Sequence, residues 1–447
     1  MVSRDYSLAV YGLGYVGKAI ASVMLRAGFS VIGVDSSENV VREVKAGIVK
    51  HVEGNVRETL LQGLRAGLFD VTMDGVAASR RCRVKLVTVP VYLTSLYEPD
   101  FSRLKAAAEA IGMGAEEGDL VIVESSVPPG TTMEVIKPAL EEASGLRVEE
   151  ELLLAYSPER IYIGRSVQDI EERYPKIVAG VGPRSTEAAK NLYLKIAKRG
   201  VIELSSPTAA ELEKLAEGVY RDVNIALTNE LAKLCTKLGI DYREVREAAN
   251  SQPYCHLHVP GVGVGGYCIP VYPRFLMYVG RKLNVGLPLI ELARETNLTM
   301  PSYTAGLVDL VVKELGLKEP KIVILGLAFR GGVDDTRFSP TYDLIDSLLK
   351  KGYSIERVHD PYVERDETLA SLNILLSRKM EEAVKGTDVL VIATDHPEYS
   401  SLTLAMLKEL SGAGKLGVVD GRLVLKGWRE PPPGVAYVGI GRPLIKG

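Results

Sequence analysis

Residues 8–35 read LAVYGLGYVGKAIASVMLRAGFSVIGVD. Leu8 to Tyr11 is a short apolar strand, Gly12-Leu13-Gly14-Tyr15-Val16-Gly17 a glycine-rich turn, and the alanine-rich stretch to Ala27 a helix. A second strand, Ser30 to Val34, ends at Asp35, 23 positions beyond Gly12. A glycine turn between strand and helix, followed by an acid closing the next strand, is the fingerprint of a dinucleotide site. Gly12 permits the tight turn, Gly14 lets backbone approach a pyrophosphate, and Gly17 lets helix and strand pack closely. Asp35 would accept from a ribose hydroxyl and repel a 2′-phosphate, so NAD is expected rather than NADP. The alternative is a glycine-rich turn with no ligand.

Further apolar strands are expected at Val84 to Val89, Leu120 to Glu124 and Leu152 to Ala155, separated by helical patterns. That alternation predicts a doubly wound parallel sheet. From Thr208, the positions Leu212, Leu215, Val219, Val223, Leu227, Leu231 and Leu234 recur at spacings of three and four, the pattern of one long amphipathic helix. At about 27 residues it would span roughly 40 Å, too long for one small domain to cover, which suggests a connecting and dimerising element. Helical patterns continue from Leu289 to Leu315, interrupted near Pro301. A second strand series then begins at Lys321 to Leu325 and continues with Arg357 to His359, Val389 to Ala393 and Gly417 to Asp420. The fold class expected is α/β, with two Rossmann-like doubly wound domains joined by a long central helix. The boundaries are 1–204, 205–316 and 317–447. The second Rossmann-like part lacks an intact glycine fingerprint, since Gly326 is followed by Leu327, Ala328 and Phe329. Two nucleotide-binding shapes with one altered turn suggest two different nucleotides.

Composition narrows the function. The 447 residues carry 54 Lys plus Arg against 57 Asp plus Glu, a formal net charge of -3, so there is no basic field for nucleic acid or an anionic membrane. No apolar run approaches the roughly 20 residues that cross a bilayer. Cys82, Cys235, Cys255 and Cys268 lie far apart without CxxC spacing, and no signal-peptide pattern precedes the first strand, which points to a reducing cytoplasm.

Several loops carry chemistry. Residues 261–273 read GVGVGGYCIPVYP, placing Cys268 at the end of a glycine-rich loop. A thiol can trap an aldehyde covalently and prepare it for a second oxidation, which hydride transfer from an alcohol alone does not need. The other reading is a buried, inert cysteine. The glycines imply close backbone approach to something, and their amides could act on the thiol or on a phosphate. His256 and His258 lie nearby without a third ligand, so no metal is expected. Ser125-Ser126-Val127-Pro128-Pro129-Gly130-Thr131-Thr132 follows a strand, where ligands gather in such sheets. It is either a nicotinamide or water contact or a prolyl turn with a threonine cap. Ser157-Pro158-Glu159-Arg160 offers a general base or sugar clamp, or a surface ion pair. Lys214 stabilises an alkoxide if buried, or is solvated.

In their order, GLGYVG, SSVPPGTT, SPERI, AELEKL followed by RDVNIALTNE, GVGGYCIP, LGLAFRGGVDDTRFSP and VVDGR resemble the nucleotide-sugar dehydrogenases, the UDP-glucose, UDP-N-acetylmannosamine and GDP-mannose dehydrogenase family. SPERI and RDVNIA..NE look most similar to the UDP-N-acetylmannosamine branch. The resemblance implies an NAD domain, a homodimer through the central helix, and a C-terminal domain that holds a UDP-sugar. It also implies oxidation of the sugar's primary alcohol to an acid with two NAD. By motif position, Cys268 matches the thiol that forms a thiohemiacetal and thioester, and Lys214 the lysine near the developing oxyanion. Glu159 matches the glutamate of thioester hydrolysis, and Ser126 a hydroxyl that orders water. NAD contacts are then expected at Gly12, Gly14, Tyr15, Val16, Gly17, Asp35, Pro90, Ser126 and Arg337. Substrate contacts are expected at Glu159, Arg160, Lys214, Gly261, Gly263, Gly265, Arg330 and Arg422.

The chain departs from the family pattern beside the thiol. Four residues after the cysteine, Tyr272 stands where the family has aspartate. Four residues after the lysine, Gly218 stands where it has asparagine. Tyr267 replaces a common histidine, and an arginine that often crosses the dimer is replaced near Tyr254. A tyrosine hydroxyl of pKa about 10 is a poor general base at neutral pH. These positions support a second expectation, a divergent paralogue that binds NAD and a nucleotide sugar and turns over little.

Overall fold

The structure, a computed structural model, describes residues 7–447. They divide into two compact units, one containing the chain up to Glu217 with Arg274–Asn284, the other Gly218–Pro273 with Val285–Gly447.

In the first unit β1 (Leu8–Tyr11), β2 (Val31–Val34), β3 (Phe69–Thr72) and β4 (Val84–Val87) alternate with helices. A small hairpin follows, made of β5 (Tyr92–Leu93) and β6 (Pro99–Asp100). The sheet then takes β7 (Leu120–Val123), β8 (Leu153–Tyr156), β9 (Lys176–Gly180) and β10 (Val201–Glu203). Its eight strands lie in the order β10-β9-β8-β7-β4-β1-β2-β3. The strand order reverses between the parallel strands β1 and β4, the switch point at which doubly wound sheets bind ligands. Every residue of β1, β2 and β7 is buried, as strands covered by helices on both faces require. One pairing is antiparallel: β8 meets β9 with Ala155 opposite Gly180 and Tyr156 opposite Ala179.

The second unit holds β11 (Lys321–Leu325), β12 (Ser354–His359), β13 (Leu375–Ser377), β14 (Val389–Ile392), β15 (Leu416–Asp420), β16 (Val435–Gly439) and β17 (Arg442–Lys446). Their order, β13-β12-β11-β14-β15-β16-β17, repeats the doubly wound plan and adds one antiparallel edge strand. Arg442, 2% exposed, bonds Asp241 at 3.2 Å and Leu425 O and Tyr437 Oη at 3.0 Å, fixing that edge to the chain beyond the central helix.

The central helix runs from Pro207 to Leu238, 32 residues, and ends at Gly239, whose φ of 77° no helix continues. Its inward face differs from the leucine stripe expected. Leu215 and Val219 are buried, but Leu212, Leu227 and Leu234 are exposed. The buried face beyond Val219 is polar or small: Asp222, Ala226, Thr228, Asn229, Ala232 and Cys235. The break near Pro301 is a new start, because one helix ends at Leu298 and the next, Met300–Leu315, takes the proline in its first turn.

Candidate functional site

The fingerprint glycines divide the work by geometry. Gly12 has φ 99°, which only glycine adopts cheaply, and a Cβ there would press on Thr88 at 3.1 Å. A Cβ on Gly17 would overlap the carbonyl oxygen of Gly12, so helix and turn touch through backbone. A Cβ on Gly14 would meet nothing within 4 Å, so that peptide faces open space where a pyrophosphate fits. Tyr15 and Val16 open the helix beyond it. Asp35 receives the amides of Leu13 at 2.8 Å and Ser37 at 2.9 Å, which hold its carboxylate at the mouth of the turn. A carboxylate with further lone pairs there suits a ribose diol and repels a phosphate. Thr88, absent from the sequence-based set, donates to Gly12 O at 2.7 Å and braces the turn, and Pro90 lies exposed just beyond it.

The two motif loops after β7 and β8 are more engaged than their sequences suggest. Thr131 donates to Pro128 O at 2.6 Å, while Thr132 and the Gly130 amide bond the buried carboxylate of Glu211. For these threonines the prolyl turn holds but the threonine cap does not, since Thr131 makes no side-chain cap bond, and Ser126 stays half-buried. Glu159 is buried in an ion pair with Lys176, and that lysine also lies 3.5 Å from Glu124. Arg160 turns away from Glu159, donating to Pro175 O and lying 3.4 Å from Glu217 and 3.9 Å from Glu213. Burial, and then the charge of Glu217, push the Glu213 carboxyl up to about 7 against the pull of Arg160. Glu159 and Arg160 therefore do not pair with each other: Glu159 joins a buried pair with Lys176, and Arg160 a partly exposed one with Glu217 and Glu213. Lys214 is half-buried on the central helix.

In the second unit Cys268 is exposed and is the first residue of the helix Cys268–Lys282, whose first turn carries no acid. Amide dipoles at that end favour negative charge. The loop leading to it is glycine-rich because other protein is there. A Cβ on Gly263 would meet Pro340 at 2.7 Å, and one on Gly265 would meet Phe329 at 2.7 Å. One on Gly261 would overlap the guanidinium of Arg422. Arg422 is held at 2.9 Å by Asp395, which also accepts the Gly331 amide at 3.0 Å. Burial raises the Asp395 carboxyl, but the Arg422 charge and these donors win and hold it at about 2. Arg330 reaches Gly331 O at 3.3 Å, while Arg337 forks onto Asp335 and stacks 5.8 Å from the Tyr267 ring centre.

The opposite side of the loop hangs from the central helix. Asn229 accepts the Gly261 amide at 3.0 Å and donates to Asn297 at 2.9 Å, which in turn bonds Asp222, itself paired with Arg294 at 3.2 Å. Asn224 clamps the backbone of His256 and His258 at 2.7 and 3.0 Å. These are polar residues of RDVNIALTNE, whose role sequence reasoning missed; the signal was the two asparagines Asn224 and Asn229 on the amphipathic central helix. Among the described residues no group of three His, Cys, Asp or Glu is placed to hold a metal.

Models of the UDP-glucose/GDP-mannose dehydrogenase family match the chain in three parts: the NAD binding domain over residues 6–197, the central domain over 208–299 and the UDP binding domain over 323–427. The chain belongs to this family. The UDP-N-acetyl-D-mannosamine dehydrogenase of Pyrococcus horikoshii is 36% identical over 437 residues, 97% of this chain and 99% of that one. A solved structure of UDP-D-ManNAc dehydrogenase from Pyrococcus horikoshii matches with TM-score 0.88 and 34% identity, over 98% and 99% of the two chains. One of a UDP-glucose dehydrogenase from Pyrobaculum islandicum matches with TM-score 0.85 and 27% identity, over 99% and 100%. This family member is an NAD-dependent dehydrogenase of nucleotide sugars.

Against the family pattern, the two departures beside the thiol prove to be one. A Cβ on Gly218 would overlap Cδ2 of Tyr272, so the tyrosine ring, 5% exposed, occupies the space an asparagine side chain would enter. Glycine and tyrosine fit there together. Gly218→Asn alone is expected to lower stability by about 1–3 kcal/mol through overpacking, despite better helix propensity. In a Tyr272→Asp background that penalty should vanish, a coupling of about 1 kcal/mol or more. Denaturant unfolding of the two single variants and the double variant measures it, and additive effects would separate the positions.

Proposed function

We propose that this protein oxidises the primary alcohol of a UDP-sugar, UDP-N-acetylmannosamine or UDP-glucose, to the uronic acid through a covalent intermediate on Cys268. NAD, when bound, supplies the hydride acceptor for both oxidations. The Cys268 sulfur adds to the carbonyl carbon of the aldehyde, forming a C–S bond as the oxygen takes a proton. Loss of a hydride from that carbon and of the proton from its hydroxyl leaves a thioester. Water then attacks the acyl carbon, the C–S bond breaks, and the thiol and a carboxylate are released. Lys214 stabilises the negative charge developing on the reacting oxygen, Ser126 orders water and Glu159 takes its proton.

The observation that carries this reading is the exposed Cys268 at a helix start, in a loop held by packing on one side and by Asn229 and Asn224 on the other. Residues 1–204 then serve NAD, 205–316 the thiol and the dimer, and 317–447 the uridine diphosphate. Arg330 and Arg422, with Arg160 and the backbone at Gly261, Gly263 and Gly265, contact the substrate, while Arg337 reaches NAD. Four free cysteines favour the reducing cytoplasm, and no helix of the described residues is long and apolar enough to cross a membrane.

Incubation with each UDP-sugar and NAD is expected to yield two NADH per sugar, and Cys268→Ala to abolish acid formation. Acid formed by Cys268→Ala at the parent rate would sink the proposal. The alternative, a weakly active paralogue, is favoured by Tyr272, buried where the family carries a carboxylate. It predicts saturable binding of NAD and nucleotide sugar with no NADH above the Cys268→Ala background.

The homodimer rests on the outward face of the central helix. Tyr220, Leu227 and Leu234, seven residues apart, are 56%, 48% and 55% exposed, and Leu238 is 62% exposed, an apolar stripe that a second copy would cover. In sedimentation, the Leu227→Asp/Leu234→Asp variant is expected to be monomeric where the parent is dimeric. A variant that stays dimeric places the interface elsewhere.

A further inference from the structure

The antiparallel β8–β9 pairing continues past its last ladder bond through side chains. Ser157 donates to Ile177 O at 2.6 Å, Glu159 pairs with Lys176, and Arg160 donates to Pro175 O. Pro158 has no amide to give, so side chains replace the ladder. Lys176, 5% exposed, lies between two carboxylates: Glu159 after β8, and Glu124 at the end of β7, 3.5 Å away. Tyr193 donates its hydroxyl to Glu124, and its ring centre is 4.7 Å from the ammonium. The other titratable group bearing on Glu124 is Tyr156 of β8, fully buried, which also feels Glu211 and Glu213 of the central helix. One cation thus serves two buried acids.

We propose that Lys176 is a positioning residue for Glu159 and that Glu124 is a proton store behind it, so that the hold on Glu159 changes when Glu124 loses its proton. The proposal rests on the reading of Glu159 as the group that takes a proton from water. Two ionised carboxylates around one ammonium leave a net buried negative charge, which low dielectric penalises. Burial, partly offset by Lys176 and reinforced by Glu159, pushes the Glu124 carboxyl up to about 7. Below that pH Glu124 is protonated and Lys176 acts on Glu159 alone. Above it Glu124 is ionised and Lys176 is shared between two acids, so that Glu159 stays held in place but is less neutralised and better able to accept the proton of the attacking water. Thioester hydrolysis therefore gains rate as pH rises through about 7.

The test is the rate of acid release by the full-length enzyme with NAD and UDP-N-acetylmannosamine or UDP-glucose, from pH 6 to 9, with circular dichroism checking the fold of each variant. The parent is expected to climb about fivefold across pH 7. Glu124→Gln, which cannot ionise, should flatten the climb at the low-pH rate. Tyr193→Phe, which removes a hydrogen bond to the ionised form, should move the climb to higher pH. Lys176→Met should slow acid release roughly tenfold or more, and Lys176→Arg should recover most of it. A climb that persists unchanged in Glu124→Gln overturns the proposal, as does equal loss in Lys176→Met and Lys176→Arg. Either result with acid release still dependent on Cys268 leaves the thiol mechanism standing. Acid release independent of Cys268 removes the mechanism itself.

Discussion

There is no room for side chains between the loop 261–266 and the protein it lies against. Pro340, Phe329 and the Arg422 guanidinium occupy the space where Cβ atoms of Gly263, Gly265 and Gly261 would stand. That close approach fixes the backbone leading into Cys268, and the Asn229 bond to the Gly261 amide fixes it from the other side. The position of the sulfur follows from packing and amide geometry rather than from contacts of its own. Its exposure at a helix start is what such a frame leaves available for chemistry.

The same economy of space explains the residues beside the thiol. Gly218 and Tyr272 lie 54 positions apart in sequence yet fill one volume, so neither change is intelligible alone. In the second turn of the thiol helix, where the resemblance implies a carboxylate, the Tyr272 ring fills the space beside Gly218. In the first unit, by contrast, carboxylates are retained and buried: Glu124 and Glu159 share Lys176.

Local features were legible in the sequence. The turn Gly12–Gly17 and Asp35 lie within one strand–helix–strand unit, with Gly14 facing open space and Gly17 touching Gly12. Cys268 reads as special because of the glycines before it, although what those glycines admit is the 329–340 turn and Arg422 of the same unit. What could not be read depends on register and distance. The engagement of Glu159 by Lys176 requires the antiparallel β8–β9 alignment, which no periodicity announces. The leucines of the central helix have the right spacing for an inward stripe, yet several face outward because Asp222, Thr228 and Asn229 take the inward positions through hydrogen bonds. A pattern of apolar residues cannot reveal a face buried by polar ones.

The central claim is that Cys268 carries the acyl group between oxidation and hydrolysis. Its most direct measurement is peptide mass spectrometry of Glu159→Gln enzyme quenched in acid during turnover with NAD and UDP-sugar. A uronyl thioester is expected on the peptide containing Cys268, cleaved by hydroxylamine and absent without NAD. Acid product formed with no adduct on that peptide at any quench time would contradict it.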